Sequence, residues 1–73
     1  MSIQAEILDA KRRLKAARVP FVAVLAASGL SRSTVHRWEH GEREPFPHTW
    51  KAFTRAVNRL ASRAERKRAA RGR

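Results

Sequence analysis

Apolar residues recur along this chain at helical steps. Between residues 2 and 18, Ile3, Ile7, Ala10, Leu14 and Ala17 follow one another at intervals of three and four, which sets them on one face of a helix with 3.6 residues per turn. Ser2 stands where a hydroxyl caps the first turn. Pro20 disfavours helical backbone at Val19 and suits the opening of a new helix, so the chain bends there and a second, short helix runs to about Ser28. Its Phe21, Val24, Leu25 and Ala27 are expected inside. Gly29 can take the left-handed conformation that ends a helix, Leu30 supplies a buried anchor, and Ser31 caps a third helix that starts at Arg32 and ends near Gly41.

A loop rich in turn residues follows, Glu42-Arg43-Glu44-Pro45-Phe46-Pro47, with Phe46 expected to anchor it and Pro47 to open the fourth helix. Trp50, Phe53, Val57 and Leu60 then recur at three- and four-residue spacing, and Ala61 and Ala64 continue the stripe weakly. No strand signal and no internal repeat is present. The pattern predicts an all-α fold of four to five helices. Beyond Leu60 no large apolar side chain remains, and residues 59–73 hold seven basic residues against Glu65 alone. That end reads as a solvated helix extension or as a disordered basic tail, the flexible form being expected to add only general attraction for DNA. The chain divides into residues 1–62 and a basic extension, 63–73.

Charge changes the picture most. Seventeen Lys and Arg against six Asp and Glu leave a formal charge of +11 on 73 residues, more than solubility requires and unfavourable for compactness unless an anionic partner offsets it. Double-stranded nucleic acid is the partner this balance favours. The absence of cysteine excludes disulfides and thiolate metal sites. The longest apolar stretch, Val19 to Ala27, is too short to span a bilayer. The basic run Lys11 to Arg18 belongs to an amphipathic segment and not to a signal peptide, so a cytoplasmic, nucleoid-associated protein is expected.

A short apolar helix, a glycine turn and a capped second helix make the layout of a helix-turn-helix. At about 100° per residue, Ser31, Val35 and Trp38 cluster on one face of the third helix, Ser33, His36, Arg37 and His40 lie opposite, and Arg32 stands on the flank. The outward face offers hydroxyl, guanidinium and imidazole groups. Arg32 and Arg37 suit two-hydrogen-bond contacts with guanine, each contributing roughly 1–3 kcal/mol of discrimination, and Ser33 and His36 suit neighbouring base edges. Unpaired backbone N–H groups at the helix starts suit phosphates. Trp38 reads first as core.

The run Gly29-Leu30-Ser31-Arg32-Ser33-Thr34-Val35, followed by Arg37-Trp38-Glu39, Gly41 and Arg43-Glu44-Pro45, resembles the Cro and lambda-repressor type of helix-turn-helix protein over roughly residues 5–60. The resemblance implies base contacts from Arg32, Ser33 and Arg37, phosphate contacts from Ser31, His40 and Arg43, and a pairing of Glu39 with a basic residue of the first helix, Lys15 or Arg18. Thr34, in the first turn, completes the phosphate-contacting set. Two positions depart from the family's pattern. Leu25 stands where alanine is usual for close helix packing, and Pro20 stands where a polar cap is usual.

These features lead to the expectation of a sequence-specific transcription regulator, a Cro-like repressor or autorepressor. It would act as a homodimer through the fourth helix on an inverted repeat with half-sites about 34 Å apart. A nucleoid-coating protein and an antitoxin-type module that binds a partner protein are the rival classes. An enzyme is not expected, for want of a nucleophile with its base, paired carboxylates or a phosphate-binding glycine loop. A metal site would need His36 and His40 to gain a carboxylate such as Glu44; with no third ligand evident, no metal, cofactor or small-molecule ligand is expected.

Overall fold

The computed structural model describes residues 2–71. Four helices follow in order, α1 (Ile3–Ala16), α2 (Phe21–Ser28), α3 (Arg32–Glu39) and α4 (Pro47–Arg71), with no strand among the described residues. Each end has a local chemical cause. Ser2 Oγ accepts from the Ala5 N–H at 3.1 Å and so caps α1. At the other end of α1, the Arg18 and Val19 N–H groups donate to Lys15 O (3.1 Å) and Leu14 O (2.8 Å). This is the reverse turn that normally uses glycine in the left-handed position, yet Arg18 occupies it with φ 59°. It stops α1 at Ala16, two residues before the expected end.

Gly29 (φ 72°) closes α2 as the sequence predicts, with Leu30 N donating to Leu25 O at 3.1 Å. Ser31 Oγ accepts from the Thr34 N–H at 3.2 Å and starts α3. Gly41 (φ 70°) closes α3, with Glu42 N donating to Arg37 O at 2.9 Å and Gly41 N to Trp38 O at 3.3 Å. The two glycine turns thus bracket an eight-residue helix whose entry and exit are both fixed by hydrogen bonds.

The core draws on every helix: Ile7 and Leu14 of α1, Val24 and Leu25 of α2, Val35 and Trp38 of α3, and Phe53, Ala56, Val57 and Ala61 of α4. Trp38 is at its centre, edge-on to Trp50 (6.1 Å between ring centroids) and to Phe53 (6.0 Å). Phe21 packs edge-on to Phe53 from the side. Two expectations fail. Ala27 is exposed, because an eight-residue helix turns only Val24 and Leu25 fully inward. Phe46 is no anchor either: it is 68% exposed and stacks on the nearby His48, while the core takes its aromatic side chains from Trp38 and Phe53.

α4 runs without a break through the 62/63 position to Arg71. The Arg13 guanidinium of α1 reaches across to it, donating to Asn58 Oδ1 (2.7 Å), Ser62 Oγ (3.1 Å) and both oxygens of Glu65 (3.0 and 3.2 Å). Arg68 donates to the Ala16 carbonyl at the end of α1. The basic end is thus helical as far as Arg71, and it is fastened to α1 by hydrogen bonds that Glu65 accepts from Arg13 and that Arg68 donates to Ala16 O.

Candidate nucleic-acid interface

Two buried side chains, Val35 and Trp38, hold α3 against the core. With an apolar pair at that spacing facing in, helical periodicity turns the intervening residues outward, and Arg32, Ser33, His36 and Arg37 are all exposed. A further tie comes from α1, where Gln4 Nε2 donates to the Trp38 carbonyl at 2.9 Å. The outward row is thus carried on a short, doubly anchored helix. Its eight residues span about 12 Å at 1.5 Å per residue.

The hydroxyl cluster at the start of α3 is closer than the sequence suggests. Ser31 Oγ lies 2.8 Å from Thr34 Oγ1 and 3.2 Å from Ser33 Oγ. Ser31 is exposed, not on the inner face with Val35 and Trp38, because its cap geometry places it ahead of the first helical turn. At the far end His36 and His40 pair their rings, with centroids 4.2 Å apart. Arg43 is exposed in the loop after Gly41 and lines a hollow beside Ser2 and Gln4.

Glu39 corrects one expectation. It pairs with Lys11 and not with Lys15 or Arg18. Lys11 lies on the part of α1 that crosses α3, and its Nζ also sits 5.2 Å from the centre of the Phe21 ring. Lys15 is one turn farther along, and Arg18 is already in the exposed reverse turn. Lys15 instead joins Lys11, Arg32 and His36 around a groove of about 530 Å³ whose apolar lining includes Leu14 and Phe21. Lys15 is a candidate interface residue that the periodicity alone did not point to. The signal was the basic outer face of the first helix, which acquires a location only once α1 packs on α3.

The same turn of α3 corrects the metal reading. His36, Glu39 and His40 bring a donor atom each to within 4.8 Å of one another. The carboxylate beside the two imidazoles is Glu39, three residues after His36 on the helix; Glu44 lies beyond the Gly41 turn.

Two perturbed groups lie apart from this face, at the joint of α1 and α4. The hydrogen bonds from Arg13 lower the Glu65 carboxyl from its ordinary value, against an opposing desolvation and with a smaller contribution from the Arg13 charge. Arg13 is correspondingly raised by Glu65. Along the outside of α4, Lys51, Arg55, Arg59, Arg63 and Lys67 recur at steps of four and are all exposed. Like charges at that spacing disfavour a helix by a few tenths of a kcal/mol per pair, about 0.2–0.5.

Among the described residues no helix is long and apolar enough to cross a membrane, and the exposed large apolar side chains are Leu8, Val22 and Phe46, none of them on α4. No protein-family model matches the chain, and comparison with curated proteins and with solved structures finds no match.

Proposed function

We propose that the chain is a sequence-specific DNA-binding regulator that sets α3 in the major groove. One observation carries this reading: α3 is pinned by Val35 and Trp38, capped at both ends, and turns Arg32, Ser33, His36 and Arg37 outward together. A helix whose task was packing alone would gain nothing from two unpaired arginines on that face. In the groove, Arg32 and Arg37 each give guanine O6 and N7 two hydrogen bonds, and Ser33 and His36 meet adjacent base edges. Ser31, Thr34, His40 and Arg43 hold the phosphates on either side, with Lys15 extending that contact along α1. A 12 Å helix reads only a few base pairs, so the operator is an inverted repeat occupied by a homodimer, and the outcome is repression of the promoter that contains it.

The basic row on α4 favours a second reading, a protein that coats DNA through charge alone, and the two part on specificity. The test is fluorescence-anisotropy binding to a selected DNA pool and to random duplex at about 0.15 M salt, for the parent and for Arg32→Ala with Arg37→Ala. Both arginines are exposed, so the variant keeps the fold. A preference of about 10³ or more for the selected DNA, lost in the variant, is the expected result. Equal binding to both DNAs, unchanged by the substitutions, refutes base readout and leaves the coating protein.

A further inference from the structure

His36, Glu39 and His40 occupy one turn of α3, and we propose that they bind a single divalent transition-metal ion of the zinc class. The inference rests on this cluster alone and does not depend on the DNA reading. Imidazoles four residues apart lie side by side on a helix, a spacing that zinc sites on helices use. Here the two rings are already 4.2 Å apart. The third donor is Glu39, and the three ligand atoms lie within 4.8 Å of one another. Donors on a tetrahedral zinc ion, bonded at about 2.1 Å, are about 3.4 Å apart. Rotation of the two exposed imidazoles closes the difference, and nothing in the core moves.

The donor set selects the ion. Two nitrogens and a carboxylate suit zinc, nickel or copper, whereas magnesium and calcium take oxygen ligands. Water completes the coordination, since both histidines are exposed. One contact competes: Lys11 holds the Glu39 carboxylate, with their side chains 42% and 24% exposed. A pair so open to solvent contributes little, and Lys11 keeps its place over the Phe21 ring when the carboxylate turns away. The ion thus exchanges a weak ion pair for a coordinate bond.

The experiment titrates the full chain with zinc alone, followed by calorimetry and by the NMR signals of the imidazole nitrogens. Saturable binding of one ion is expected, with His36 and His40 shifting and His48, on α4, unmoved. His36→Ala and His40→Ala, checked for fold by circular dichroism, each weaken binding by about 10-fold or more, the least that loss of even an outer-shell partner costs at metal sites. Glu39→Gln weakens it too. Lys11→Met strengthens it by about 1.5- to 5-fold, the worth of an exposed ion pair. No saturable binding, affinity unchanged from the parent in either histidine variant, or a response centred on His48 overturns the site. Loss in the histidine variants with no effect of Glu39→Gln overturns the assignment of the carboxylate as third ligand.

Discussion

Trp38→Ala probes the joint between the fold and the outward face of α3. The indole is 2% exposed and meets the rings of Trp50 and Phe53 edge-on at 6.1 and 6.0 Å. Removing it deletes the largest buried side chain and both aromatic contacts. Truncations of this kind cost about 3–5 kcal/mol, of which the two ring pairs account for about 1–3. A chain of 73 residues has a total stability of about 4–11 kcal/mol at typical values per residue. The variant therefore loses a large share of its stability. With a urea dependence of about 1 kcal/mol per molar for so small a domain, the midpoint falls by about 3 M or more. Urea melts followed at 222 nm and by the fluorescence of the remaining Trp50 measure this. A Trp38→Ala midpoint that implies a loss under about 1 kcal/mol would show that α3 is not anchored through this ring, and the rigid presentation of Arg32 and Arg37 would fall with it.

Two further outcomes follow from the joints between helices. Arg18 holds a left-handed backbone that suits glycine, so Arg18→Gly stabilises the fold by about 0.5–1 kcal/mol and raises Tm by about 2–8 °C, whereas a lower Tm would contradict the strain. The Glu65 carboxyl is lowered by Arg13 in the folded state. Its charged form therefore contributes stability above the ordinary carboxylate range, and that contribution is lost as pH falls through the lowered folded value. Urea midpoints of the parent and Glu65→Gln accordingly differ at neutral pH and converge in acid; a gap that persists in acid would mean that shape, not charge, makes the contact.

Local chemistry accounts for how much of the fold was legible in the residues. Gly29, Ser31, Gly41 and Pro47 mark helix ends through backbone conformations and caps that need no distant partner, and each end lies at or within two residues of its mark. The apolar steps likewise picked out Ile7, Leu14, Val24, Val35, Trp38, Phe53 and Val57, all buried. The outward row of α3 follows largely from the same periodicity, because a helix that buries positions 35 and 38 turns 33, 36 and 37 outward and leaves 32 on the flank.

What depends on how the helices meet was not legible. Whether Glu39 pairs with Lys11 or Lys15 turns on where α1 crosses α3, a matter of one helical turn or about 5–6 Å. Hydrophobicity alone suggests Ala27 and Phe46 as inward, but α2 turns only Val24 and Leu25 fully into the core and the loop leaves Phe46 outside it. The composition of the basic end allows a helix, and packing ties that helix to α1, since Arg13 and the Ala16 carbonyl, more than forty residues away in the chain, supply its fastenings. Local residues specify each helix and its ends, since those interactions act over a few bonds; the partners of its charges arise from distances that exist only after the helices have packed.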